Sequence, residues 1–153
     1  MVKTLAVAKY LNELNQAKHS CTMDQMKMHK MMYFSQRESL MIFGNPLFDG
    51  EFEAWVYGPV LTEVRDEYST GNLFSGEYGT LSDSEKNLVK SVFERYDSFS
   101  AWELSTLSHS EYSWKQAREG LEPNERGCSK LSLSAMNVDA KRELLRRKGV
   151  VLA

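Results

Sequence analysis

Cysteine is scarce in this sequence, which contains only Cys21 and Cys128 among its 153 residues. The two lie far apart and belong to no CxxC or Cys/His spacing, so the common zinc and thiol redox motifs are missing. Free cysteine usually behaves as a small apolar side chain. We therefore expect two unpaired thiols, in or near the core of a protein from a reducing compartment.

Long apolar runs and a strong net charge are also missing. No stretch approaches the roughly 18 consecutive apolar residues of a membrane span, and residues 1–5 lack the uninterrupted apolar core of a signal peptide. The formal net charge of -2 provides no overall field that would attract nucleic acid or an anionic membrane. We expect a cytoplasmic protein that has no membrane partner.

Large apolar side chains, in contrast, are plentiful. The chain has 7 Phe, 7 Tyr, 3 Trp and 8 Met, and 42% of its residues are hydrophobic. This supply is sufficient for a packed core, which excludes intrinsic disorder. Because the chain is close to the commonest domain size, we expect residues 1–153 to form a single domain.

Hydrophobic periodicity predicts mostly helices. Apolar spacings of three and four predict helices over residues 4–15 and 23–43, and the second is apolar nearly all round, which is typical of a central helix. Alternation predicts a strand over residues 51–57, and Pro59 is suited to the first position of the next helix. Further helices are predicted from Ser82, over 101–107, over 111–119 and over 135–148.

The predicted fold is therefore mainly α. We expect a compact helical bundle of about six to seven helices with one short β-strand or ribbon near residues 51–57. The last helix, residues 135–148, is expected to be a C-terminal extension of the same domain. Capping boxes, in which a Ser or Thr is followed three residues later by Glu or Gln, predict four helix starts. They are Thr22 with Gln25, Ser82 with Glu85, Ser100 with Glu103, and Ser108 with Glu111.

Motifs for catalysis or for cofactor binding are not found. The serines lack a GxSxG elbow, and the glycines form neither GxGxxG nor a Walker sequence. The three histidines, His19, His29 and His109, belong to no HExxH motif, and we expect His29 to be a structural side chain. The sequence therefore predicts no catalytic residues, no metal site and no cofactor.

One basic cluster lies on the last predicted helix. It could contact phosphates, or it could complement the dipole at the helix C-terminus. We favour the second interpretation, because acidic residues are interleaved and no aromatic stacking platform accompanies the charges. A phage or mobile-element regulator that binds nucleic acid through this helix remains the alternative function. The cluster comprises Lys141, Arg142, Arg146, Arg147 and Lys148.

Two aromatic segments allow a structural and a functional interpretation. Trp55 and Tyr57 precede the rigid Gly58-Pro59 corner, and His109 precedes Trp114 by about one helical turn. Each segment could be a turn packed against the core. We favour this interpretation from the sequence physics alone; the alternative is that each segment presents aromatic anchors to a protein partner, because Trp and Tyr dominate interface hot spots.

Several pieces of the chain, taken in order, resemble the SocA-like antitoxins, a family that has the Panacea domain and includes phage-associated proteins. The similarity runs over about residues 5–117 and is most specific where Glu53-Ala54-Trp55 leads into Tyr57-Gly58-Pro59, with His109 and Trp114 downstream. The other matching pieces are Lys27-Met28-His29-Lys30-Met31-Met32-Tyr33-Phe34 and Gly44-Asn45-Pro46-Leu47-Phe48.

The resemblance implies a mostly helical protein without known catalysis, which neutralises a cognate protein toxin by direct contact in a bacterial or phage-infected bacterial cell. In the protein that gives the family its name, it further implies delivery of the toxin to an ATP-dependent protease. The resemblance implies that six motif residues form or support the surface that binds the toxin. They could contact the toxin or only shape the scaffold, and for the Gly-Pro corner we favour the scaffold role. These residues are Trp55, Tyr57, Gly58, Pro59, His109 and Trp114.

Overall fold

The computed structural model describes residues 1–150 of the chain. This range contains seven helices and a two-stranded ribbon, joined by loops. The helices are α1 (Thr4–His19), α2 (Gln25–Ile42), α3 (Thr62–Tyr68), α4 (Asp83–Tyr96), α5 (Ala101–His109), α6 (Tyr112–Ala117) and α7 (Leu133–Arg147). The strands are β1 (Glu53–Trp55) and β2 (Gly58–Val60). The prediction of a mainly helical fold with a short ribbon is confirmed.

Helix α2 is the centre of the molecule, as its apolar circumference predicted. Every residue from Met28 to Leu40 is buried, and α1, α4, α5, α7 and the ribbon all pack against the helix. The buried run contains five long polar or ionisable side chains as well as methionines and aromatics: His29, Lys30, Gln36, Arg37 and Glu38. Each of these groups requires a partner away from water, and this requirement shapes the rest of the fold.

The ribbon differs from the prediction that Pro59 opens a helix. Strand β1 pairs antiparallel with β2, Ala54 opposite Pro59, and α3 begins only at Thr62. Gly58 has φ of +123°, a conformation that favours glycine, so the chain turns back on itself instead of entering a helix. The backbone of β1 also bonds residues 129–131, since Ser129 O accepts from Ala54 N at 2.8 Å.

Two of the four predicted capping boxes are confirmed and two are wrong. Ser82 with Glu85 and Ser100 with Glu103 form reciprocal capping boxes at the starts of α4 and α5. At α2 the cap is Asp24, which accepts from the backbone N–H of Lys27, and Thr22 lies outside the helix. Ser108 starts no helix, because α5 continues through it and its hydroxyl donates to Ser105 O.

The start of α6 is instead capped by a side chain from α7. Asp139, which is 1% exposed, accepts hydrogen bonds from Tyr112 N at 2.7 Å and from Ser113 N at 2.9 Å. The hydroxyl of Tyr33 on α2 donates to the same carboxylate at 3.0 Å. One buried acid therefore joins α2, α6 and α7.

A second buried acid joins α1, α2 and α4. The side chain of Asp97, 3% exposed, contacts Lys18 Nζ at 2.7 Å, His19 Nε2 at 2.9 Å and Lys27 Nζ at 3.3 Å. Burial alone would raise the pKa of Asp97, but hydrogen bonds from Lys18, His19 and Lys27, with the charge of Lys27, outweigh it and lower the pKa to about 2. Asp97 is therefore ionised at neutral pH.

Both cysteines are free, as predicted, but the prediction that they lie in or near the core is wrong. Cys21 and Cys128 are exposed. Cys21 follows α1 in the turn before α2, and Cys128 lies in the loop between α6 and α7. Both segments run over the surface, where connecting loops usually lie.

Candidate functional site

The aromatic residues of the two sequence segments meet at the junction of the ribbon with α5 and α6. The indole N–H of Trp114 donates to the backbone oxygen of Trp55 at 2.9 Å. The ring of His109 stacks on Trp114 with centroids 4.2 Å apart and planes 13° from parallel. Trp55, His109 and Trp114 therefore form one connected cluster, although 59 residues separate the first from the last.

The Gly58-Pro59 corner lies in the interior, and its glycine is required by its neighbours. A Cβ at Gly58 would lie 2.7 Å from Ser108 Oγ and 2.8 Å from Lys30 Cε. Both distances are shorter than a Cβ tolerates, and the φ of +123° already disfavours other residues. Pro59 is buried beside it in β2. The corner thus packs directly against the Lys30 side chain of α2.

Tyr57, in contrast, projects from the ribbon into solvent. It is 57% exposed, and its ring meets the ring of Trp102, 64% exposed, in an edge-to-face contact with centroids 5.5 Å apart. The hydroxyl of Ser105 on α5 donates to the backbone oxygen of Tyr57 at 2.6 Å and fixes the turn. Tyr57 and Trp102 together are called the aromatic patch.

Trp102 is missing from the sequence-based set of site residues. A signal was available, because Trp102 and Thr106 are spaced by four on α5 and are exposed, whereas Leu104, Ser105 and Ser108 are buried. An exposed tryptophan opposite the buried face of a short helix is a binding-site signal. That face could be assigned only once the boundaries of α5 were known.

Two cavities open on either side of the ribbon turn, and Val56 and Tyr57 line both. The first, called the α2 cavity, has a volume of about 690 Å³ and lies among the start of α2, the ribbon, α3 and residues 126–128. The second, called the α5 cavity, has a volume of about 510 Å³ and lies among the ribbon, α5, α6 and residues 121–124. The aromatic patch therefore stands between two concave surfaces.

The α2 cavity contains two buried ionisable side chains from α2. His29 accepts a hydrogen bond at Nδ1 from Leu61 N, at 3.3 Å, and its Nε2 lies 3.3 Å from Gln25 Oε1. Burial, followed by the charges of Lys30 and Arg65, lowers the pKa of His29 to about 3, so the ring is neutral. This agrees with the structural role predicted for His29.

Lys30 is 1% exposed. Burial lowers the pKa of its ammonium group to about 8, against a smaller opposite effect of the Asp24 carboxylate. Lys30 belongs to one of the segments that resemble the family, but it is not one of the predicted site residues. Lysine side chains are almost always exposed, and this one is buried only because the ribbon packs over α2.

His109 faces the α5 cavity. Burial, followed by the charge of Lys30, lowers the pKa of the ring, and hydrogen bonds to the backbone of Tyr57 and Val56 oppose this shift. The stacked pair of His109 and Trp114 therefore forms part of the cavity wall next to the aromatic patch.

The basic cluster of α7 is partly neutralised within the fold. Arg147 forms a two-pronged salt bridge with Glu38 of α2, at 2.7 and 2.8 Å, and also contacts Glu143 at 2.9 Å. Arg146 pairs with Glu143 at 2.8 Å. The guanidinium of Arg142 lies 5.9 Å from the ring of Tyr112. Lys141 and Lys148 are exposed at the two ends of the cluster.

The described range, residues 1–150, holds no group of three or more His, Cys, Asp or Glu side chains arranged to bind a metal ion. Nor does it contain a helix of sufficient length and apolar character to cross a membrane.

A family model described as antitoxin SocA-like, Panacea domain, matches residues 28–115, which is more than half of the chain. No curated protein and no solved structure matches the chain. The matched range includes the ribbon, the aromatic patch and the cluster of Trp55, His109 and Trp114, together with most of α2. The chain belongs to the family of SocA-like antitoxins with a Panacea domain.

Proposed function

We propose that this chain is the antitoxin of a toxin–antitoxin system and neutralises a cognate protein toxin by binding it directly, without catalysis. In this proposal residues 1–153 act as one rigid domain that presents a preformed surface. The observation that carries the proposal is the aromatic patch, which projects between two cavities inside the range that matches the antitoxin family.

The aromatic patch has the physical properties of an interface anchor. Both rings are more than half exposed, so a partner can bury a large apolar area on them. The edge-to-face contact and the hydrogen bond from Ser105 to the Tyr57 backbone hold the rings before binding. Preorganised aromatic side chains lose little conformational entropy on binding, which is why Tyr and Trp are enriched among hot spots.

The remaining motif residues are proposed to shape this surface rather than to contact the toxin. Gly58 and Pro59 are buried, and Trp114 is tied to the ribbon through the Trp55 backbone. His109 supports Trp114 by stacking. Substitutions at these positions would disturb the position of Tyr57 and the walls of both cavities.

Nucleic-acid binding through α7 is less well supported. Arg147 and Arg146 are paired with Glu38 and Glu143, so much of their charge is already neutralised. A helix that binds phosphate needs its cations free to displace counterions. Delivery of the toxin to an ATP-dependent protease requires a second surface, and we restrict the proposal to neutralisation.

The test starts with the cognate toxin, identified as a protein that copurifies with this chain from its native host and arrests growth when expressed alone. Its affinity is then measured by isothermal titration calorimetry for the wild type and for Tyr57→Ala and Trp102→Ala. Each substitution should weaken binding by about 2 kcal/mol, or roughly 30-fold, as expected at a hot spot.

Phe43→Ala provides a matched control. Phe43 is an aromatic residue that is 43% exposed, and it follows the C-terminal end of α2, opposite to the end that lines the α2 cavity. It should leave the affinity unchanged. Equal affinities for the wild type and all variants would refute the proposed surface. Recovery of nucleic acid instead of a toxic protein partner would refute the proposed function.

A further inference from the structure

The α2 cavity contains a buried cation that is not neutralised by the described part of the chain. Lys30 is 1% exposed, and within residues 1–150 its ammonium group makes no salt bridge; the carboxylate of Asp24 acts on it only as a more distant charge. The neighbouring cations of α2 are paired: the half-buried Lys27 contacts Asp97, and the buried Arg37 forms a salt bridge with Glu111. Asp24 lines the same cavity but makes no salt bridge with Lys30.

A buried ammonium group without a counter-ion is unfavourable, because its lost hydration is not replaced. Fully buried lysines are for this reason almost always paired. Here the packing holds the lysine in place, since Gly58 leaves room for its Cε, which lies 2.8 Å from the position that a Cβ would occupy. The side chain is therefore fixed beside the cavity, and its charge is compensated only in part, by the more distant Asp24.

The surroundings of Lys30 favour a ligand that is mostly apolar. The walls of the cavity include Met26, Trp55, Val56 and Val60, and His29 is neutral. Two further cations line the cavity: Arg65, whose guanidinium lies 5.2 Å from the Trp55 ring centroid, and the exposed Arg126. One buried positive charge thus lies in an apolar chamber with arginines along its wall.

We propose that the α2 cavity binds a carboxylate carried on an apolar body of aromatic size, with Lys30 as its counter-ion. The volume of about 690 Å³ lies within the range of small-molecule sites, roughly 300–1,000 Å³. A carboxylate balances the charge of the buried Lys30 alone, whereas a phosphate dianion would need its second counter-charge from Arg65 or Arg126, whose side chains are exposed. This inference does not depend on the proposed antitoxin function.

The same chemistry could come from a free small carboxylate or from the C-terminus of a protein segment. The first test titrates the purified full chain, observed by ¹H–¹⁵N NMR, with indole-3-acetate and with the neutral indole-3-acetamide. We expect saturable shifts at the α2 cavity and an affinity for the acetate at least tenfold higher than for the acetamide. Equal affinities, or no saturable shift with either compound, would overturn the proposal.

Two variants link the preference to Lys30. Lys30→Met keeps the length and apolar stem of the side chain. It should lower the affinity for indole-3-acetate to the affinity for indole-3-acetamide. Lys90→Met, at an exposed lysine of α4, should leave the tenfold preference intact. A preference that survives in Lys30→Met would contradict the role of Lys30. If Lys30→Met does not fold, the affinities of the wild type for indole-3-acetate and indole-3-acetamide still test the proposal.

A last pair of titrations distinguishes a free small carboxylate from a protein C-terminus, and a carboxylate from a phosphate. A tetrapeptide that ends in Trp with a free carboxylate should bind more tightly than indole-3-acetate if a protein C-terminus is the natural occupant. Weaker binding of the peptide would assign the site to a free small carboxylate. Inorganic phosphate should show no saturable binding at the cavity, and phosphate binding that is lost in Lys30→Met would refute the carboxylate class.

Discussion

The most informative stability prediction concerns Lys30→Met. Lys30 carries a buried ammonium group whose pKa is lowered by burial from its ordinary value of 10.5 to about 8. The folded protein therefore holds this proton less tightly than the unfolded chain does. Protonation opposes folding, and the whole penalty is present well below pH 8 and disappears as the pH rises past 10.5.

The magnitude follows from the two pKa values. At pH 7 the penalty is about 3 kcal/mol, since each unit of pKa difference corresponds to about 1.4 kcal/mol. Between pH 7 and pH 9.5 it should fall by about 2 kcal/mol. Met is similar in shape to the lysine stem, so Lys30→Met should be more stable than the wild type at pH 7, and the difference should shrink with rising pH.

The measurement is urea denaturation of both proteins at several pH values from 7 to 9.5, at constant ionic strength. His29 stays neutral throughout, because burial lowers its pKa to about 3. Lys90→Met controls for the general effect of losing one positive charge. A Lys30→Met protein that is less stable than the wild type at pH 7, with a difference independent of pH, would refute the assignment of Lys30 as an unpaired buried cation.

Three further predictions test the remaining geometry by denaturation. Asp97→Asn should destabilise the fold by about 2 kcal/mol at pH 7 through lost charged hydrogen bonds. Because the pKa of Asp97 is lowered to about 2, the stability difference between the variant and the wild type should vanish as the pH falls from 4 towards 2. A difference that stays constant would contradict the hydrogen bonds assigned to the Asp97 carboxylate. Asp139→Asn should cost about 2–3 kcal/mol against about 1–2 kcal/mol for Tyr33→Phe, which removes one of the three bonds to Asp139 and the hydroxyl contact with Ser113 but leaves both backbone caps. A larger cost for Tyr33→Phe than for Asp139→Asn would argue against the remote cap. Gly58→Ala should cost about 3 kcal/mol from backbone strain and crowding, whereas Gly71→Ala, with open space around it, should stay within about 0.5 kcal/mol. A neutral Gly58→Ala would contradict the packing of the corner.

Features with local causes could be predicted from the sequence. The central position of α2 was predicted from its methionines and aromatic residues, although the buried run from Met28 to Leu40 also contains long polar and ionisable side chains. The starts of α4 and α5 follow from capping boxes that close within three residues of Ser82 and Ser100. Local signals of this kind depend on one turn of chain, and they hold where packing supplies no competing cap.

Features with distant causes could not be predicted. Asp139 caps α6 from 27 residues away along the chain, so the start of α6 carries no local cap and the box at Ser108 is misleading. The Gly58-Pro59 corner suits either a helix start or a hairpin, and the pairing of Ala54 with Pro59 decides between them. The burial of Lys30 is equally non-local, because the ribbon covers it.

The candidate site was predicted in part. Trp55, His109 and Trp114 meet in the fold, and Tyr57 lies beside them on the surface. Trp102 was missed because α5 exposes only one of its faces, and the sequence does not say which. The motif therefore named residues that the fold brings together, whereas the exposed ring of Trp102 required the structure. The role of these residues in partner binding stays a prediction.

The most direct test of antitoxin function is growth of cells that express the cognate toxin together with this chain. The wild type and Phe43→Ala should restore growth, because neither lacks the aromatic patch. A protein with both Tyr57→Ala and Trp102→Ala should fold, accumulate to the same level and fail to restore growth. Full rescue by this double variant would contradict the claim that the aromatic patch binds the toxin, and no rescue by the wild type would contradict the antitoxin function itself.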